Sequence, residues 1–201
     1  MGKLLYVKAN AKPDGESRTF KISDSFIDSY RQTHPNDEII TLDLYKEDIH
    51  PLTNNDIKSV FGAKTDESRQ HPILKYTYQF AEADKYVIAQ PLWNLSFPAI
   101  LKIYIDYICI PGITFKYTEN GSVGLCHGKK AINITSRGGI YSKGTGAELE
   151  MSDKYLRKIF AFMGIKDFTT ICAEGLDIIG NDVEEILNKT IAEAKATAKT
   201  F

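Results

Sequence analysis

Three short stretches hold side chains whose types and spacing suit a small ligand. Ser17-Arg18-Thr19 brings two hydroxyls and a guanidinium to what reads as a helix start, where unpaired amides and the positive end of the helix dipole favour an anion such as a phosphate. Plain helix capping would explain Ser17 by itself, but not the cluster of three. In Leu92-Trp93-Asn94-Leu95 the only tryptophan offers a flat apolar face and Asn94 a donor and an acceptor. The Asn94, Leu95 and Ser96 amides are free to point at a planar heterocycle. The plainer alternative is a strand-to-helix loop with a half-buried tryptophan. In Ser136-Arg137-Gly138-Gly139 the glycine pair lets the backbone approach a ligand and tolerates dihedrals other residues avoid, although a flexible turn would use two glycines as well. A P-loop pattern occurs nowhere, and Gly144-Thr145-Gly146 lacks the third glycine of a dinucleotide fingerprint. His34, His50, His71 and His127 are scattered, so no metal site is proposed.

These stretches need elements that deliver them to one place. Leu4 to Val7 reads as a buried strand, Asn10 to Glu16 as a loop, and a helix follows the Ser17 cap with Phe20, Phe26, Ile27 and Tyr30 on one face. Glu38 to Leu44 is a second strand. Tyr45 to Ala63 is a surface excursion with a short helical piece around Ile57 to Phe61, and Asp66 to Ala83 is mostly helical with Pro72 near its start. Tyr86 to Ala89 is an apolar run without polar alternation, as in a parallel strand covered on both faces, and it stops at Gln90-Pro91. Pro98 suits a first helical position. Ala99 to Ile108 is apolar on nearly every side, apart from Lys102 and Asp106 on one line, so the helix is either buried on both sides within the domain or covered by a second subunit. Because a doubly wound fold leaves its helices one face outward, the reading favoured is a subunit interface in a homodimer. Thr114 to Leu125 is a β-hairpin insertion turning at Asn120-Gly121. Lys130 to Thr135 is a fourth strand, Tyr155 to Met163 a helix and Phe168 to Ala173 a fifth strand. Asp182 to Lys199 closes the chain with Val183, Ile186, Leu187, Ile191, Ala194 and Ala198 in one stripe. Five strands alternating with helices predict a doubly wound α/β sheet with helices on both faces. The ligand stretches follow strands one, three and four, which favours the flavodoxin-like order, with ligands at the carboxyl ends of the strands.

Composition narrows the partners. The 201 residues, 43% of them hydrophobic, fit a single domain spanning 1–201 with a full core. Lys and Arg number 25 against 26 Asp and Glu, and a formal net charge of -1 argues against nucleic acid and a basic membrane surface. A small molecule is the expected partner. Cys109, Cys126 and Cys172 form no CxxC and are odd in number, as in a reduced, cytoplasmic protein, and MGKLLYVKAN has too short an apolar run for a signal segment.

Taken together, Glu16 to Thr19, Pro91 to Leu95 and Ser136 to Gly139, with the segments PLWNLSFPAILK, GITFKYTENG, TSRGG and FMGI in order, resemble the FMN-dependent NADH-azoreductase and quinone oxidoreductase family over nearly the whole chain. The resemblance implies that Ser17, Arg18 and Thr19, with Asn10, hold the phosphate of a non-covalent FMN, and that Leu92, Trp93, Asn94, Leu95, Ser136, Arg137, Gly138 and Gly139 contact its isoalloxazine. Asn10 stands where many members have Ser, and Trp93 where others have Tyr. Tyr141 and Phe162 resemble positions lining the acceptor pocket. The implied activity is ping-pong electron transfer from NADH through the flavin to quinones and azo compounds, with no catalytic side chain assigned. The alternatives are a flavodoxin-like electron carrier or a flavin-binding regulatory protein with little turnover. The chain's near-neutral charge lacks the acidic docking surface usual in such carriers.

Overall fold

Successive residues of β1 (Lys3–Lys8) feed two cores, Leu5 and Val7 on one face of the sheet and Leu4 and Tyr6 on the other. β3 (Lys85–Pro91) repeats the division, with Tyr86 and Ile88 opposite Val87 and Ala89. A strand covered on both faces has no polar side to alternate with. In this computed structural model, which describes residues 1–13, 15–62 and 64–201 and only the backbone of residue 66, β1 and β3 join β2 (Glu38–Asp43), β6 (Lys130–Ser136) and β7 (Asp167–Ala173). Asp14 in the first expected loop and Ala63 at the end of the expected excursion lie outside the described residues. All five strands are parallel, in the order β2-β1-β3-β6-β7, the expected flavodoxin-like arrangement. β4 (Phe115–Thr118) and β5 (Gly121–Gly124) form a separate antiparallel hairpin.

On one face lie α1 (Arg18–Thr33) and α7 (Val183–Ala198), packed against each other; the stripe from Phe20 to Tyr30 meets Ala194 and Ala198 there. The other face carries α3 (Leu74–Glu82), α4 (Ala99–Ile108) and α6 (Ser152–Phe162). The short helices are α2 (Asn54–Val60) and α5 (Gly146–Leu149).

Three expectations need correction. The helix expected from Asp66 to Ala83 is split into a 3-10 turn, Asp66–Gln70, and α3, because Pro72 forces His71 into an extended conformation, ψ 133°. In the hairpin, Thr118 pairs with Gly121, so the loop residues are Glu119 and Asn120. Gly121, with φ 105°, starts the return strand rather than sitting inside the turn. The third correction concerns α4. Leu101, Tyr104, Ile105, Tyr107 and Ile108 are all buried within the chain itself. The Tyr107 hydroxyl donates to the His50 carbonyl at 2.9 Å, the Thr77 hydroxyl donates to the Tyr107 carbonyl at 2.6 Å, and Ile49 and Leu52 pack on the same core. The excursion after β2 therefore covers the side of α4 that a plain two-layer sandwich would expose. Only Ile100 and Ile103 remain half-buried, so this helix alone does not demand a second subunit.

Candidate functional site

The loop leaving β1 is tied to the start of α1 by Asn10. Its Nδ2 donates to Ser17 Oγ at 2.8 Å, and its Oδ1 accepts the Lys12 N–H at 3.0 Å. Ser17 caps α1 by accepting the Phe20 N–H at 3.1 Å. Ser17 and Thr19 are fully buried, and Thr19 Oγ1 shares a 2.6 Å hydrogen bond with Ser136 Oγ. Both hydroxyls thus brace the loops, and what faces outward is the run of unpaired amides at the helix start together with Arg18 and Lys12. Arg18 Nη1 rests on Asp177 Oδ1 at 2.7 Å and the Leu176 carbonyl at 3.3 Å.

After β3 the chain makes one more sheet bond, Leu92 N–H to the Ser136 carbonyl, and then turns. Trp93 N–H donates to the Ser96 carbonyl at 2.7 Å and Ser96 N–H returns to the Trp93 carbonyl at 3.0 Å, closing a two-residue turn. Asn94 (φ 50°) and Leu95 (φ 69°) are the only non-glycines with positive φ among the described residues, the signature of a type I′ turn. A leucine in that region is strained by roughly 1 to 3 kcal/mol and needs surroundings that impose it. Met151 N–H, bonded to the Leu95 carbonyl at 2.9 Å, is one such hold. The expectation of three free amides is corrected: Ser96 spends its own inside the turn, while those of Asn94 and Leu95 have no partner among the described residues. Trp93 and Leu95 stay part-exposed beside them.

The wall after β6 is shaped by close approach. A Cβ on Gly138 would lie 2.4 Å from Asp177 Oδ2, and one on Gly139 would lie 3.1 Å from the Tyr141 ring. Neither glycine has a positive φ, so a side chain here would meet neighbours rather than an unfavourable dihedral: the Asp177 carboxylate would have to swing away from one at 138, and the Tyr141 ring would have to give slightly to one at 139. The Arg137 side chain turns inward, Nη1 to Glu174 at 2.9 Å and Nη2 to Glu150 at 3.3 Å, and is 4% exposed. Burial raises the Glu174 carboxyl, but hydrogen bonds from Ser142, Tyr141 N–H and Arg137, with the arginine's charge, outweigh it and hold the group below the usual range.

Asn10, Lys12, Arg18, Leu92, Trp93, Ser136, Arg137 and Gly138 line one cleft of about 120 Å³, closed on the far side by Leu176 and Asp177. Sequence reading missed Lys12, Leu176 and Asp177. A cation inside a phosphate loop was a usable signal for the first, whereas nothing in residue spacing marks the loop after β7. Also missed was Gln90, whose Nε2 donates to Ser152 Oγ at 2.8 Å and Asn133 Oδ1 at 3.2 Å under the cleft; a glutamine in an otherwise apolar buried strand was the available sign. Tyr141 is half-buried over Gly139, with its N–H on Glu174. Phe162 is not brought to the cleft. α6 begins at Gln90, near the end of β3, and by Phe160 has reached Tyr86 at the start of β3, so Phe162 lies beside the hairpin, 4.7 Å from the Phe115 ring.

A doubly wound parallel sheet in this strand order, with a basic helix start and a positive-φ turn at its carboxyl edge, is an arrangement of flavodoxin type. The chain belongs to the flavodoxin-like fold family, whose pattern matches residues 2–198. It is 67% identical, over the full length of both chains, to the FMN-dependent NADH:quinone oxidoreductase 2 of Clostridium acetobutylicum. Among solved structures, an azoreductase from Bacillus anthracis str. Sterne superposes with a TM-score of 0.90 at 40% identity, covering 100% of both chains. An FMN-dependent NADH-azoreductase from Bacillus anthracis str. Ames Ancestor, solved with FMN, superposes with a TM-score of 0.88 at 32% identity, covering 100% of this chain and 99% of the other.

Proposed function

We propose that the protein is an FMN-dependent NADH:quinone oxidoreductase that also reduces azo compounds. The observation that carries this reading is the convergence, in one cleft, of Lys12 and Arg18 at the α1 helix start, Leu92 and Trp93 at the entry to the strained Asn94-Leu95 turn, and the Gly138 wall. The donor set fits FMN. The phosphate would take the α1 amides, Arg18 and Lys12, steadied by Asn10, Ser17 and Thr19. About 120 Å³ holds a phosphate and part of a sugar chain but not three fused rings, so the ring would lie along the rim against Leu92, Trp93 and Leu95. The Asn94 and Leu95 amides would meet its polar edge, and Ser136 to Gly139 would meet it through backbone.

When bound, FMN supplies the capacity to accept a hydride from NADH and to return electrons to an acceptor. The chain's own residues would position the ring, would leave it accessible to donor and acceptor in turn, and would aim the Asn94 and Leu95 amide dipoles at its polar edge. No side chain is assigned proton transfer. Release of the chromophore from purified protein, followed by mass analysis, tests the cofactor. One FMN per chain supports the reading, and FAD or no flavin rejects it.

Support for a homodimer now comes from another surface than α4's buried face: a groove of about 530 Å³ floored by Phe97, Met151 and Tyr155 and rimmed by Lys102, Lys154 and Lys158, which begins where the Trp93 turn ends. Met151 is 53% and Leu149 50% exposed, a costly amount of apolar surface to leave in water. Phe162, remote from its own cleft, would reach an acceptor only in a second copy. Met151→Lys is expected to shift sedimentation from dimer to monomer, and a monomeric wild type at micromolar concentration would reject the dimer. Cytoplasmic residence is supported by three free cysteines, and no helix among the described residues is long and apolar enough to cross a membrane.

A further inference from the structure

Arg137 is buried between two carboxylates from different loops, Glu150 before α6 and Glu174 after β7. Such an ion pair is weak evidence for stability, because the desolvation of the charges offsets most of their attraction. What this one does supply is geometry. Each carboxylate also accepts backbone amides: Glu150 takes Asp153 N–H at 2.8 Å and Lys154 N–H at 3.3 Å, and Glu174 takes Tyr141 N–H at 3.0 Å. The Arg137 backbone is held as well, N–H to the Ala173 carbonyl at 2.8 Å and carbonyl from Leu176 N–H at 3.2 Å.

From those two carboxylates the chain reaches every ligand loop within three residues. Met151, next to Glu150, bonds the Leu95 carbonyl of the strained turn. Beyond Glu174, the Leu176 carbonyl and the Asp177 carboxylate hold Arg18, and Asp177 N–H donates to the Gly138 carbonyl at 2.9 Å. We propose that Arg137 is a positioning residue: acting through Glu150 and Glu174, its guanidinium fixes the Asn94-Leu95 turn and the Gly138 wall relative to each other, and so sets the ring's placement without holding the phosphate. This rests on the FMN reading above. The fork of a guanidinium reaches two separate carboxylates in fixed directions, which a lysine ammonium does not reproduce.

The test compares FMN-saturated wild type, Arg137→Lys and Glu174→Gln by flavin affinity, visible circular dichroism of the bound flavin, and single-turnover reduction by NADH. Arg137→Lys is expected to bind FMN within about threefold of wild type, to change the flavin's circular dichroism, and to slow its reduction on the order of 10- to 100-fold. Glu174→Gln, which keeps the Glu150 pair, should change both in the same direction by less. If Arg137→Lys does not fold, Glu174→Gln decides alone. Unaltered circular dichroism and rate would overturn the proposal, and so would a loss of FMN affinity that matches the loss of rate, since that makes Arg137 a binding residue. A wild type that binds no FMN would instead overturn the functional reading, and this inference with it.

Discussion

Leu95 holds a φ of 69° in a region where a short amide side chain sits with less strain than an isobutyl group. Leu95→Asn is therefore expected to stabilise the apoprotein by about 1 kcal/mol, roughly 2 to 4 °C in Tm for a chain of this size. A thermal melt with an equal or lower Tm would show that the leucine's remaining apolar contacts outweigh the strain. Asp177 has the opposite relation to function. It occupies Arg18 at 2.7 Å while its own side chain is 70% exposed, so it competes with an incoming phosphate for the guanidinium. Asp177→Asn should tighten FMN binding by roughly 0.5 to 1 kcal/mol in a fluorescence titration. Weaker binding would mean that the carboxylate serves the ligand. At this scale residue types were legible and pairings were not. Ser17 announced a cap because capping is local. Arg137 next to two glycines read as a ligand contact, because its carboxylates come from segments 13 and 37 residues away.

The lesson of α4 is that a helix apolar all round is underdetermined by its own sequence. Its outer face is covered by the excursion after β2, a segment whose irregular composition said nothing about where it would lie. Ile105, 1% exposed, is core and not interface, so Ile105→Lys buries an unpaired charge and should cost more than about 4 kcal/mol. A urea midpoint equal to wild type would contradict the placement. Boundaries of the other elements followed local chemistry well. Strands buried on both faces showed as unbroken apolar runs, and helix starts showed at Ser17 and Asp182.

α6 adds a pH signature. Burial raises the Asp153 carboxyl, but hydrogen bonds from Thr170, Asn133 and Arg157, with the arginine's charge, outweigh it and leave the group below its ordinary value. A carboxyl lowered in the folded state contributes stability above its unfolded value of about 3.9 and loses it as pH falls through the folded value. Asp153→Asn should therefore be less stable than wild type at neutral pH, with the difference narrowing below about pH 4. A difference constant with pH would contradict the assignment.

For the whole molecule, alternation of strands and helices predicted a doubly wound parallel sheet, and the ligand stretches after the first, third and fourth expected strands favoured the flavodoxin-like order that is found, β2-β1-β3-β6-β7. The ligand edge followed from the same rule, since the loops after β1, β3 and β6 all emerge at the carboxyl ends. What could not be read was where the end of α6 would fall. Phe162 belongs to a pocket by resemblance and by geometry lies beside the hairpin, 4.7 Å from the Phe115 ring. In the function proposed above, one open ring face beside Trp93, the Asn94-Leu95 amides and Gly138 would serve electron donor and acceptor in turn. The most direct test is the initial rate of NADH oxidation by FMN-loaded protein over a grid of NADH and quinone concentrations. Parallel double-reciprocal lines are expected, and intersecting lines, the mark of donor and acceptor bound together, would contradict it.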